Sequence, residues 1–169
     1  MPNAAHGFAS ASFTRPADTT AYAVNDVVSN STSTTTPMTL AAVGIINSSG
    51  GAAAGYITKV RLVTDNKAFT AQCRVWFFNS TSITVQADNA AFGPKWADRS
   101  ARIGYVDLPT LAPEDSTASD CAEATAADQR VPFTCATNVN TLYAVIETKT
   151  ASTPASGQLF YLEVETEIN

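Results

Sequence analysis

Short runs rich in Val, Ile, Tyr, Phe and Thr recur along almost the whole chain. Two of them alternate polar and apolar residues at a period of two, and turn residues separate the runs at intervals of roughly ten to fifteen positions. Together these observations predict an all-β protein, an antiparallel β-sandwich of jelly-roll-like form with long loops and little helix. The alternating βαβ pattern of a parallel sheet is absent from the sequence.

The first run covers residues 10–15. Pro16 has no backbone N–H and a fixed φ, so it ends that pairing. Asp18 suits a corner, because its carboxylate can bond nearby backbone groups. Tyr22, Val24 and Val27 resume a strand over 22–28, with Asn25-Asp26 as a bulge or turn. Residues 1–11 are expected as a flexible N-terminal arm, and 12–169 as a single sandwich domain.

The polar segment 29–37, SNSTSTTTP, reads as a surface loop within that sandwich, and so does 47–55. Between them a strand is expected over 38–46. In the next run, 55–65, Lys59 and Arg61 alternate with Val60 and Leu62, giving one wet and one buried face. Asp65-Asn66-Lys67 looks like a hairpin turn leading into a strand over 70–79. That strand packs Val75, Trp76, Phe77 and Phe78 together, so both of its faces should be covered, one by the second sheet and one by a subunit partner.

Further strands are expected over 102–108, 131–135, 142–148 and 158–168. In the last, Glu163, Glu165 and Glu167 alternate with Leu162, Val164, Thr166 and Ile168, which predicts an acidic, solvated outer face. Residues 116–127 hold many alanines but only a weak apolar stripe, so they read as a long loop with one or two helical turns. A short helix is expected near 94–99.

The chain has 169 residues and a mass of 17.7 kDa, which suits one domain able to bury a core unaided. Only 15% of residues are charged, with Ser, Thr, Ala and Asn in their place. The formal net charge of −5 repels a phosphate backbone, so nucleic acid is excluded as a main partner. The N-terminus lacks the basic start and apolar core of a signal peptide, and no run approaches the ~20 apolar residues of a membrane span. A soluble protein made in the cytoplasm, with no membrane partner, is expected. Cys73 reads as a core residue. Cys121 and Cys135 bracket a loop and can pair only under oxidising conditions, so reduced thiols are expected.

Motifs for catalysis are absent: no GxSxG, HExxH, P-loop or dinucleotide fingerprint occurs in context. His6, the single histidine, sits where the chain should fray, which does not suit a positioned base. Asp88, Asp98 and Asp107 near the aromatic stretch 92–96 have no fixed acid-pair spacing. Asp88-Asn89 is explained as a turn and Asp98-Arg99 as a turn or exposed ion pair. The acids Glu114, Asp115, Asp120, Glu123 and Asp128 lack the spacing of a calcium loop. No enzyme activity, metal or cofactor is expected. Trp76 should be core, whereas Trp96 in an irregular stretch should pack on the sandwich or on a neighbouring subunit.

Three blocks carry a family likeness: SFTRPADTTAYAVNDVV at 12–28, DNAAFGPKWADRSARIGYVDL at 88–108, and the closing strand 159–168. They resemble tailed-phage virion structural proteins with a jelly-roll-like sandwich, in particular capsid decoration or cement proteins. The blocks cover under half of the chain and contain no catalytic signature. The resemblance implies a protein on the outer surface of the virion capsid, often a homotrimer, that binds the major capsid protein and bridges its subunits. Phe8, Phe13, Arg15, Phe92, Trp96 and Arg99 are the residues expected at capsid or subunit contacts. Two alternatives stay open. One is a tail- or baseplate-associated glycan-binding module using Trp96, Tyr105 or Tyr143, and the other is a polysaccharide hydrolase.

Overall fold

A computed structural model describes residues 5–33, 35–44, 51–113 and 118–168. They form two five-stranded antiparallel sheets packed face to face. The first holds β1 (Ala5–Thr14), β10 (Leu159–Ile168), β4 (Ala54–Thr64), β7 (Ala122–Ala126) and β8 (Val131–Thr134). The second holds β2 (Val27–Val28), β3 (Met38–Leu40), β9 (Leu142–Thr148), β5 (Gln72–Phe78) and β6 (Arg102–Thr110).

β2 and β3 pair with successive stretches of β9, and β7 and β8 with successive stretches of β4. Each pair is therefore one interrupted strand. Counted that way the sheets run 1-8-3-6 and 2-7-4-5, the two interlocked Greek keys of a jelly roll.

The core lies between the sheets. Ile57, Val60 and Leu62 of β4 and Leu162 and Val164 of β10 meet Val75 and Phe77 of β5 and Leu142, Ala144 and Ile146 of β9. Phe69 closes one end, edge-on to Tyr22 at 6.3 Å and to Phe160 at 5.3 Å between ring centroids.

Several expectations change. Residues 5–11 are not a free arm: they continue β1 and pair with β10 from Ala5↔Ile168 onward. Small Ala and Ser side chains suggest fraying, but a ten-residue β10 offers a full ladder, and Ala9 is buried against the core. Gly7 fits because a Cβ there would collide with Thr166 Oγ1 and lie 2.7 Å from the Val43 carbonyl oxygen.

The strand expected over 22–28 shrinks to β2. Tyr22 only bridges Ser152, and Asn25 takes φ 70°, which breaks the extended run. Likewise β3 stops at Leu40, and Ala42 takes φ 62°. Residues 45–46 of that expected strand, and 47–50 of the expected loop, lie outside the described residues.

Asp65-Asn66-Lys67 is not a hairpin, because β4 and β5 belong to different sheets. Asn66 Oδ1 accepts the Ala68 N–H at 3.1 Å, and the turn sends Phe69 and Ala71 into the core. The loop expected over 116–127 contains β7 instead. Ala122, Ala124 and Ala126 are buried and alternate with Glu123 and Thr125, a strand period that alanine's helix preference masks. Residues 114–117 lie outside the described residues. The helix expected at 94–99 is a single 3-10 turn, Trp96–Asp98.

Candidate interaction surface

Along β5 the side chains alternate. Cys73, Val75 and Phe77 face the main core, while Arg74, Trp76 and Phe78 face outward. On that outer face Trp76, Phe78, Val27, Val145 and Phe92 make a second apolar cluster, with Ile83, Val85 and Tyr143 packed on it. Ile83, Val85 and Phe92 belong to the connection between β5 and β6. The second cover of this strand is therefore the chain's own loop and not a subunit partner.

Backbone bonds hold that connection in place. Asp88 N–H donates to the Ser31 carbonyl at 2.8 Å, Asn89 N–H to Val27 at 2.9 Å, Val27 N–H to Ala90 at 2.9 Å and Phe92 N–H to Asn25 at 2.6 Å. Further along, the buried Asp98 accepts the Thr84 N–H at 3.0 Å. Asp98 thus fixes the loop from inside: of the turn or exposed ion pair expected at Asp98-Arg99, the structure has the turn, Trp96–Asp98.

A buried ionic node ties the same loop to the N-terminal corner. The Arg15 side chain is wholly enclosed. Its Nε donates to Tyr22 Oη at 3.0 Å, and its Nη2 to Asp88 Oδ2 at 3.0 Å and Asp18 Oδ1 at 2.9 Å. Tyr22 Oη donates to Asp88 Oδ1 at 2.7 Å, and the Ser29 N–H reaches the same oxygen at 2.8 Å. Burial, then the hydrogen bond and charge of Asp88, push the Tyr22 hydroxyl far above its ordinary range. The Thr20 N–H and then Arg15 hold the Asp18 carboxyl below its ordinary value. Every strong donor and acceptor here is answered within the chain, which makes the node structural.

Beside this framework the surface carries aromatics paired with arginines. The Arg74 guanidinium sits 3.8 Å from the Tyr105 ring centroid and 5.5 Å from that of Trp76. Asp107 holds it through two bonds of 2.6 and 2.9 Å. Trp76 Nε1 donates to Glu147 Oε2 at 2.7 Å, and Lys149 reaches the other oxygen at 3.2 Å. Trp96, on the 3-10 turn, is 78% exposed, and Arg99 stacks 4.5 Å over its ring.

The opposite sheet presents a different face. The acidic stripe of β10 is matched by cations: Glu165 pairs with Lys59 at 2.7 Å, Glu163 with Arg61 at 2.7 Å, and Glu167 with Arg130 at 3.7 Å. Arg61 also binds Glu123 of β7. The hydrogen bonds that Arg61 donates to these two carboxylates, Glu123 first, hold it above its ordinary pKa. Phe8, 55% exposed, sits beside this ladder opposite Glu165. A groove of about 380 Å³ runs between β1 and the interrupted β2–β3 edge, lined by Phe13, Val28, Met38 and Val145 among others.

The residues expected at contacts separate into two groups. Phe8, Trp96 and Arg99 are exposed. Arg15 and Phe92 are buried within the chain: Arg15 is engaged by the ionic node, and Phe92 packs on Trp76 at 5.7 Å between centroids. Phe13 is half-buried and stacks on Phe160 at 5.5 Å. The acids considered for catalysis are engaged separately: Asp88 with Arg15, Asp98 with a backbone N–H, Asp107 with Arg74. Among the described residues no cluster of three or more His, Cys, Asp or Glu could hold a metal ion. All three cysteines are free. Within the described residues no helix is long and apolar enough to cross a membrane.

Sequence reasoning missed the roles of Tyr22 and Asp88. It read Asp88 as a turn residue, since nothing local marks a partner 73 positions away. It also missed Arg74, although Arg74 and Trp76 share a face at strand period.

No family model matches the chain, and no curated protein does. Solved structures with some likeness include the capsid of cyanophage Pam1, at 13% identity and TM-score 0.31, covering 99% of this chain and 86% of that one. Another is the capsid of Helicobacter pylori bacteriophage KHP30, at 14% identity and TM-score 0.31, covering 99% and 93%. A third is the Israeli acute paralysis virus particle, at 12% identity and TM-score 0.33, covering 99% and 68%. The jelly-roll assignment rests on the strand order of this chain and not on these weak overlaps.

Proposed function

We propose that the chain is a structural component of a virus particle. In finer terms it is a capsid decoration (cement) protein on the outer surface of the head, a homotrimer that clamps neighbouring major capsid subunits. The observation that carries the reading is Trp96, 78% exposed on a turn whose base is pinned by buried Asp98. A tryptophan and an arginine presented together on a fixed loop suit an anchor that a partner pocket covers. A jelly roll serves viral shells and lectins alike, so the fold alone does not choose between them. The sequence likeness at 12–28, 88–108 and 159–168 tips the choice toward the shell. A clamp of this kind stabilises the shell by burying area that exists only after assembly.

The exposure of Trp96 and Tyr105 also favours a second reading, a glycan-binding module on the tail or baseplate. Imaging labelled protein on purified virions separates the two. Hundreds of copies spread over the head support the shell role. A few copies at the tail support the glycan module, and absence from mature particles overturns both.

A further inference from the structure

The chain's cations are unevenly spent. Arg15, Lys59, Arg61, Arg74, Arg130 and Lys149 each pair with a carboxylate. Among the described residues, Lys67, Lys95, Arg99 and Arg102 have no ion-pair partner. The last three fall within one short stretch around the 3-10 turn, residues 95–102. The only acid of that stretch, Asp98, is buried and turned to the Thr84 N–H. A chain of net charge −5 therefore carries a local positive surface, with its most exposed large aromatic in the middle.

We infer that the 95–102 turn is a docking knob for an acidic protein surface that holds an apolar pocket for Trp96. Resting on the shell reading above, this names the chemistry of the capsid partner. Each feature answers one requirement. Trp96 presents apolar area that water leaves unsatisfied and a pocket would cover. Lys95, Arg99 and Arg102 supply charge that steers and registers an acidic partner. The net charge of the chain argues for a compact acidic cluster over an extended polyanion, which would be repelled by the rest of the molecule.

Two measurements on the full chain test this. In the first, wild type and the triple variant K95E/R99E/R102E are bound to purified shells lacking this protein. The triple variant and Trp96→Ala are each expected to bind at least about tenfold more weakly. Lys67→Glu, which removes the fourth unpaired cation elsewhere, is expected to bind as wild type. Equal binding by the triple variant overturns the knob but leaves the shell reading standing. Failure of wild type to bind shells counts against the shell reading itself.

The second measurement needs no virus. Trp96 emission is followed while a short hexaglutamate peptide, a compact acidic probe, or dextran sulfate is added, from about 0.05 to 0.5 M salt. A blue shift with the hexaglutamate peptide that salt reverses, and that the triple variant lacks, supports the knob. No shift overturns it. A shift with dextran sulfate alone also overturns it, by assigning the patch to an anionic glycan.

Discussion

Tyr22 donates its hydroxyl proton to Asp88 across 2.7 Å, and Arg15 binds both of them from a fully enclosed position. The corner after β1 and the residue just after β2, through the Ser29 N–H, meet there with the distant β5–β6 connection. The node adds a side-chain tie to the backbone bonds and the Asp98 carboxylate that hold the loop carrying Trp96. Removing one side of such a pair leaves a buried charge without its counter-charge. Asp88→Ala is therefore expected to lower stability by ~3–5 kcal/mol, read from the urea midpoint. Replacing Arg15 and Asp88 together by apolar residues should cost much less. A double variant as unstable as the sum of the singles would show that the two residues are not coupled.

Deleting residues 1–11 is expected to destabilise the sandwich. The deletion takes Ala5–Ala11 off β10 and leaves β10 as an open edge. A lower melting temperature and concentration-dependent aggregation are the expected results. A truncated chain that melts like the full one would mean that β1 contributes only through 12–14. Gly7→Ala probes the same ladder more gently. Its new methyl collides with Thr166 and the Val43 carbonyl, so a loss of ~1–3 kcal/mol is expected.

The sandwich was legible in the sequence because alternation and β-branched content act locally. Val60, Leu62, Leu162 and Val164 declare their buried face within a few residues. What escaped were features decided at long range. β7 was hidden because alanine says little about its own conformation, and only pairing with Val60–Thr64 makes it a strand. The Asp65–Lys67 turn was legible as a turn, yet whether the chain returns to the same sheet or crosses to the other depends on where Phe69 finds its cavity. The contact residues divided for the same reason. Trp96 was legible as an aromatic in an irregular stretch, but its expected packing on the chain's own sandwich does not occur, since the ring is 78% exposed, and the burial of Arg15 depends on Asp88, Tyr22 and the Ala155 carbonyl.

Stability is expected to fall in alkali before exposed groups matter. Burial pushes the Cys73 thiol up to about 12 and that of Cys135 up to about 11. Unfolded thiols ionise near ~8.5, so the unfolded chain releases these protons first and gains on the folded one as pH rises. The loss begins near pH ~8.5 and runs until each folded thiol titrates, at up to about 1.4 kcal/mol per pH unit for each thiol. Tyr22 adds a loss of the same sign above pH ~10. Urea midpoints at about pH 8 and 10.5 measure the slope. Cys73→Ala should flatten it, and an unchanged slope would remove Cys73 from the account.

The two tryptophans are expected to behave oppositely. Trp76 lies in the second apolar cluster and donates to the buried Glu147, so Trp76→Ala should cost ~3–5 kcal/mol. Trp76→Phe keeps much of the packing and removes only the donor, for a loss of ~1–3 kcal/mol that Lys149 softens by remaining on Glu147. Among the described residues Trp96 makes its ring contact with Arg99 alone, and it should be removable within ~0.5 kcal/mol. Emission should follow the same division: iodide quenches Trp96 in the wild type, and Trp76 stays shielded until the β5–β6 connection lifts away. Unfolding followed by quenching in Trp96→Ala thus reports on that connection. Quenching of Trp76 well below the global urea midpoint would mean that the loop opens before the sandwich does.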